Sequence, residues 1–513
     1  MRLPADCYGP AEAGHYEHSE NARARAFRYV LAGAIAVGLL ACAGGRADAA
    51  SSLPLVVAVK DGNRDGVRTL LRQKTNVNAA EADGTTALHW AVRADDQELI
   101  RLLLAAGANA RAANRYGVTP LQLAATNGSV ATAQALLEAG ANPNAVLPEG
   151  ETVLMTAART GQADLLKVLL DGGAELNVRE KWYGETALIW ATAENHPAAV
   201  QLLLERGADV NQASAPLTFA RRRNGQSLLP LGSWTPLMYA ARENALDAGR
   251  VLTAAHADLN AIDPDGATAL VIAIINANYD FAALLLDAGA DPNIVDKEAG
   301  MGALYAAVDM HRLAIGHGRP NPRPTAQIDN VDVVRRLLAC KADPNAALKA
   351  PIIQRQHTAG DASLGKGATP LMRAAKSGDV EVMKLLVAAG ADPKATLKNT
   401  TALMFAAGFG WRDGSPAAPS YDQGSPEEAT QAIAMLIDLG LDINAANDTG
   451  DTVLHMAVTG RGLPEIVRFL LAHGASLQAQ NKRGQTPLAA AKASRKQLEP
   501  LIDILRTAET ASH

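Results

Sequence analysis

The residues able to cleave a bond, hold a metal or gather charge are few in this chain, and their spacing is poor for all three tasks. Asp309, His311 and His317 lie close together, and His357 follows further on. Two histidines six apart do not share a helix face, whereas side chains three or four apart do. With His357 they are the positions that an enzyme or a metal-binding protein would have to use. The chain has no GxGxxG after a strand, no P-loop, no GxSxG and no HExxH. The expectation is therefore a non-enzyme without catalytic, cofactor or metal residues. The three cysteines, Cys7, Cys42 and Cys340, make no disulfide framework and no zinc-ligand spacing. Cys340 follows Leu337-Leu338-Ala339, where a cysteine is expected as a small buried hydrophobe. Arg221-Arg222-Arg223 is the compact basic run: a solvated loop, or a contact for an acidic partner or a lipid headgroup. A net charge of −5 and a pI near 6.1 argue against a nucleic-acid partner.

The elements around these residues read as helices. Hydrophobic residues make up 48% of the 513 and charged residues 20%, which excludes a disordered chain. Only 4% is aromatic, and the apolar share is mostly Ala and Leu, which lose little rotamer freedom in a helix. The length would suit several globular domains, but one short pattern recurs throughout. Thr86-Ala87-Leu88-His89 returns at Thr119, Thr152, Thr186, Thr235, Thr268, Gly302, Thr369, Thr401, Thr452 and Thr486. The successive spacings are 33, 33, 34, 49, 33, 34, 67, 32, 51 and 34 residues, so the long ones are a 33-residue unit plus insertions. A second marker keeps step: Gly140-Ala141-Asn142-Pro143-Asn144, Gly207-Ala208-Asp209-Val210-Asn211, Gly289-Ala290-Asp291-Pro292-Asn293 and Gly390-Ala391-Asp392-Pro393.

Each unit has a physical logic. The Thr is an N-cap, and a Pro after it costs no hydrogen bond at the first helical position. A short Ala-rich helix follows, then a break such as Asn127-Gly128, then a helix with paired leucines such as Leu136-Leu137. Gly140 closes it in the left-handed conformation. A single unit cannot bury its leucine face alone, but a stack of units can.

These units resemble ankyrin repeats, whose T-P-L-H-x-A and G-A-D-x-N signatures they carry. The resemblance implies an all-α repeat fold: a solenoid of stacked helix-turn-helix units with short hairpin fingers. About twelve repeats are expected from roughly residue 52 to 510, with divergent first (Leu53 to Asn78) and last (Gly484 to Arg506) units. Thr86/His89 and Thr452/His455 keep the family's Thr–His pair, in which the His links hydrogen bonds along the stack. Elsewhere that position is Gln122, Met155, Ile189, Met238, Met372 or Met404, so apolar packing is expected to replace the link. Four insertions fall near 213–233, 312–327, 347–366 and 408–425. The first and third would extend fingers; the second and fourth lie between the two helices of one repeat, on the opposite edge. They read as loops, and either serve binding or decorate the surface.

The family also implies a protein–protein interaction scaffold whose partner lies on the concave face. Carried over by position, the contacts fall at finger tips and after the Ala pair of the first helix: Arg115, Tyr116, Thr126, Asn127, Glu149, Arg159, Thr160, Trp182, Tyr183, Glu194, Trp234, Arg242 and Glu243. Among them Trp182, Tyr183, Trp234 and Arg242 are of the types that anchor interfaces. A monomer with a protein partner is expected.

The first 49 residues read as an address. Arg23, Arg25 and Arg28 precede an apolar run from Tyr29 to Ala43, and Ala47-Asp48-Ala49 is a small-x-small site, together the pattern of a secretory signal peptide. The run falls short of the roughly 20 residues that span a bilayer, so cleavage after Ala49 is the preferred reading, leaving 50–513. Leu39-Leu40-Ala41-Cys42 also resembles a lipobox, and an uncleaved anchor is the third possibility; a membrane enters only through these two. The expected location is periplasmic or secreted, with an effector that engages host proteins as the alternative function.

Overall fold

The computed structural model describes residues 53–216, 232–312, 326–352, 363–409, 425–494 and 498–511. The expected signal peptide with Cys7 and Cys42, most of the four insertions, Arg221, Arg222, Arg223, His317 and His357 lie outside the described residues.

The described helices fall into twelve pairs, each a first helix and a second helix. The first six are Pro54–Lys60 with Arg64–Arg72, Ala87–Arg93 with Gln97–Ala105, Pro120–Asn127 with Val130–Glu138, Val153–Thr160 with Ala163–Asp171, Ala187–Ala193 with Pro197–Glu205, and Pro236–Glu243 with Leu246–Ala254. The other six are Ala269–Ile275 with Tyr279–Asp287, Ala303–His311 with Asn330–Ala339, Pro370–Lys376 with Val380–Ala388, Ala402–Ala407 with Pro426–Asp438, Val453–Thr459 with Pro464–Ala472, and Pro487–Ala493 with Glu499–Ala511. The repeats are numbered below in that order. First helices stack on first helices and second on second, so the chain forms an all-α solenoid with two edges. One edge carries the hairpin fingers, the other the loops from first to second helix.

Two leucine columns hold the stack. Leu88, Leu121, Leu154, Leu188, Leu237 and Leu270 sit two residues after the capping position and are buried. Leu103, Leu136, Leu169, Leu203, Leu252 and Leu285 form the second column and are fully buried. Each contributes about 1.5–3 kcal/mol by leaving water, a gain available only when a neighbouring repeat supplies the other wall. The Ala pairs Ala124-Ala125, Ala157-Ala158 and Ala240-Ala241 are fully buried too, and their small size lets first helices approach.

The capping threonines act as read from the sequence. Thr119, Thr152, Thr186, Thr235, Thr369 and Thr401 each accept from the N–H three residues on. His89 and His455 make the expected links between repeats, donating from Nε2 to Val118 O at 3.1 Å and Gln485 O at 2.9 Å. Where His is absent, polar contact has not wholly given way to apolar packing. Gln122 donates from Nε2 to Thr156 Oγ1 of the next repeat at 2.5 Å, and the Met155 sulfur accepts the Thr152 N–H at 3.4 Å. Cys340 also departs from expectation: it is exposed, because it caps the end of Asn330–Ala339 beyond the last turn that faces the core.

Fingers and asparagines tie the finger edge. Antiparallel bridges such as Ala80 to Thr86 and Val146 to Thr152 close the fingers, and one becomes a two-stranded ladder, Thr396–Leu397 with Thr400–Thr401. Backbone bonds then pass from finger to finger: Arg115 N to Asp83 O at 2.7 Å, Lys181 N to Glu149 O at 3.0 Å, Lys297 N to Asp265 O at 2.9 Å. At the base, the Asn of the G-A-D-x-N signature bonds the next repeat in both directions. Asn144 donates to Gly173 O at 3.0 Å and accepts from Glu175 N at 2.7 Å. These rungs persist across the first three insertions: Asn211 accepts from Asp258 N, Asn293 from Asp343 N and Asn345 from Asp392 N, at 2.7–2.8 Å. The repeats joined by these three rungs are therefore stacked as direct neighbours.

Candidate functional site

Each capped first helix carries one equivalent side chain four residues after its capping residue. In the second, fifth and sixth repeats these are Trp90, Trp190 and Tyr239, and a cation stacks on each. Lys60 Nζ lies 4.2 Å from the Trp90 ring centre and the Arg93 guanidinium 5.5 Å; Arg159 lies 5.6 Å from Trp190; Arg242 lies 5.4 Å from Tyr239. Arg93, Arg159 and Arg242 all sit seven residues after their capping threonine, so the register itself creates the stacks. Such cation–ring contacts contribute roughly 0.5–1 kcal/mol at exposed sites. Acids complete the strip. Glu81 accepts from the Trp90 indole N–H at 2.7 Å, and Glu151 lies 3.7 Å from Arg159.

The finger tips add exposed rings. Tyr116 is 53% exposed, and Arg115 donates to its hydroxyl at 2.7 Å. Trp182 is 69% exposed and Tyr183 52%, on a finger one residue longer than most. Glu180 compensates for the extra residue. Its carboxylate is buried inside the turn and accepts from the N–H groups of Trp182 at 2.6 Å, Tyr183 at 2.7 Å and Glu185 at 3.0 Å. The two rings therefore project from an ordered turn. Gly184 has φ +63°, and a Cβ there would stand 2.7 Å from Ala215 N of the next finger, so only glycine fits.

The remaining residues expected to meet a partner divide. Glu194 is exposed at the end of Ala187–Ala193, and Arg242 and Glu243 are half-buried, bridged at 2.9 Å. Asn127 is exposed as a residue, but its amide is committed to the stack, donating to Val92 O at 2.8 Å. Trp234 is the correction: it is 3% exposed and faces no open surface. Its ring packs edge-on against Tyr239 at 5.7 Å, and its indole N–H donates to Asp263 at 3.1 Å. Burial raises the Asp263 pKa. Trp234 directly precedes the Thr235 cap, where the chain turns from finger into helix, so its side chain is drawn into the wall. Trp90 and Trp190, both half-buried, were missed, while Tyr239 at the same position is buried beneath Arg242. Aligning the repeats on their threonines and reading the fourth following residue would have found them.

Asp309 and His311 do come near other ionisable groups, on the loop edge. Arg373 Nε donates to Asp309 at 2.6 Å, both side chains almost fully buried, and His311 Nδ1 lies 2.5 Å from Asp379. Among the described residues no group of three or more His, Cys, Asp or Glu is placed to hold a metal.

Stacked helix pairs whose fingers and first helices line one continuous strip define a repeat protein that presents a surface. A family model described as ankyrin repeats (3 copies) matches residues 55–147, 132–214, 221–296 and 325–414. A second, ankyrin repeats (many copies), matches 436–491. The matches cover well over half of the chain, and it belongs to the ankyrin-repeat family. Ankyrin repeat and SOCS box protein 6 of Homo sapiens is 31% identical over 169 residues, 31% of this chain and 36% of that protein; the Pongo abelii protein matches to the same extent. The match thus spans little more than a third of these relatives. The human ASB11 ankyrin repeat domain is 26% identical, with a TM-score of 0.39, covering 47% of this chain and 99% of that domain. Ankyrin repeats serve protein–protein interaction, and the family is generally non-enzymatic.

Proposed function

We propose that the chain is a non-catalytic, exported scaffold that binds a protein partner through the strip between fingers and first helices in repeats two to six. The observation that carries this reading is the ordered display of rings and cations there. Half-buried Trp90 and Trp190 stack with Arg93 and Arg159, Arg242 lies over the buried Tyr239, and Tyr116, Trp182 and Tyr183 stand on the fingers beside them. Aromatic and arginine side chains are over-represented among interface hot spots. Here they are held in place before any partner arrives, which limits the ordering cost of association. The periplasm or cell surface is the compartment consistent with the first 49 residues.

A photo-crosslinking amino acid at Trp182, compared with one at Lys384 on the second-helix face, tests the surface. The expected result is a defined adduct from Trp182 alone, reduced at least tenfold by Arg159→Ala. Equal crosslinking from both positions would dismiss the strip as the binding face. Fractionation of cells with sequencing of the mature N-terminus tests the location: a start at Ala50 outside the cytoplasm is expected, and a cytoplasmic intact chain would overturn it.

A further inference from the structure

In a repeat stack each unit touches only the units before and after it. Two contacts on the loop edge break that rule. Arg312, just past the first helix of the eighth repeat, donates from Nη2 to Glu428 Oε1 of the tenth at 2.8 Å. Arg461 of the eleventh repeat donates from Nη2 to Lys376 O of the ninth at 3.1 Å. Each contact passes over one intervening repeat, and their paths overlap at the ninth–tenth junction.

The groups involved are held from several sides. Arg312 Nε also lies 3.9 Å from Asp379 Oδ2, the oxygen that faces His311. The other oxygen of Asp379 accepts the Val382 N–H at 3.3 Å and so caps Val380–Ala388. Arg373 bonds Asp309 of the eighth repeat and Ser377 of its own. Glu428 is fixed by a capping box, its Oε2 accepting from Ser425 N at 2.8 Å while Ser425 Oγ accepts from Glu428 N at 3.1 Å. Arg461 is buried, which pushes its pKa down to about 10 and leaves the cation charged at neutral pH.

The overlap coincides with a gap on the opposite edge. The asparagine of the signature is Lys394 at the end of the ninth repeat. An ammonium cannot accept a backbone N–H, so the two-way rung of Asn345 before it and Asn444 after it has no counterpart there.

We propose that Arg312–Glu428 and Arg461–Lys376 form a latch that closes the ninth–tenth junction from the loop edge and makes repeats eight to eleven one conformational unit. A contact that skips a repeat survives only while every junction along its path stays closed. Two such contacts sharing one junction therefore add to the nearest-neighbour packing that opposes its opening. The latch stands where the asparagine rung is lacking, and it holds that part of the stack in one geometry while other junctions open independently.

Hydrogen exchange read by mass spectrometry on the full chain tests this. In the unaltered protein, helices of repeats eight to eleven are expected to exchange with a common protection. Arg312→Gln and Glu428→Gln should each speed exchange in Pro370–Lys376 and Ala402–Ala407 at least tenfold, and the double variant no more than either alone. Glutamine retains the capping-box acceptor, so Glu428→Gln removes the ion pair and keeps the helix start. Lys394→Asn in the Glu428→Gln background should restore protection by supplying the missing rung. Unchanged exchange in both single variants would overturn the latch. So would faster exchange confined to Pro426–Asp438, additive effects in the double variant, or a failure of Lys394→Asn to rescue.

Discussion

His89 shows how tightly single positions are specified. The Thr86 N–H at 3.1 Å can only donate and Val118 O at 3.1 Å can only accept, so Nδ1 is bare and Nε2 carries the proton. A second proton would set Nδ1–H against Thr86 N–H in a buried site, and burial lowers the His89 pKa below its ordinary 6.5. Lowering has a definite sign for stability. The neutral ring's contribution is complete above pH 6.5, and it diminishes as the pH falls from there toward the depressed folded value, because the unfolded chain takes up the proton first. Stability of the second and third repeats is therefore expected to fall as the pH drops below 6.5, and His89→Gln to flatten that dependence, as read by urea denaturation at stepped pH. Arg373 presents the opposite case, a permanent charge buried against Asp309 at 2.6 Å. Asp309→Ala leaves that charge without its main partner and is expected to cost about 3–5 kcal/mol, measured by the same denaturation. Trp182→Ala should leave stability unchanged within about 0.5 kcal/mol, since the ring packs on little, while weakening partner capture.

At the scale of elements the fingers and caps divide the work. Gly184→Ala forces a left-handed backbone on a β-carbon and drives it into Ala215, so the fourth finger should lose its bond from Ala215 N to Tyr183 O. The expected result is faster amide exchange from 180 to 216 and loss of the ordered Trp182–Tyr183 tip. Thr235→Ala should cost about 1 kcal/mol through the lost cap. Helices, caps and leucine columns were legible in the sequence because each repeat restates the same local rules. The Thr, the Ala pair and the closing Gly mark the boundaries whatever lies between. The site was less legible. Trp182 and Tyr183 could be placed on a finger by counting, whereas Trp234 could not be recognised as buried, since its burial depends on Tyr239 and Asp263 from other elements. The loop-edge network was invisible for the same reason: Arg312 and Glu428 are 116 residues apart, and only folding makes them neighbours.

At the scale of the molecule, the tryptophans are unevenly spread. Trp90, Trp182, Trp190 and Trp234 all lie in repeats two to six, and Trp411 alone lies later. Fluorescence thus reports chiefly on the early repeats, while helical circular dichroism reports on all twelve. A stack held by nearest-neighbour terms does not melt in one step once its junctions differ in strength. The fluorescence transition is expected at lower urea than the dichroism transition, and Glu428→Gln should draw the two together by lowering the second. Superimposable transitions in the unaltered chain would show a single cooperative block. The asparagine rungs that span the first two insertions carry one more consequence. Rungs normally join residues 31 apart in sequence, yet Asn211 to Asp258 spans 47 and Asn293 to Asp343 spans 50. Because Pro216 and Gly232 are bridged, the first insertion leaves and re-enters at one place. Its closure entropy grows only logarithmically, by about 0.6 kcal/mol for each doubling of length. That makes it a socket: foreign sequence could be spliced between those two residues, lengthened or exchanged, with the register of every following repeat left as it is.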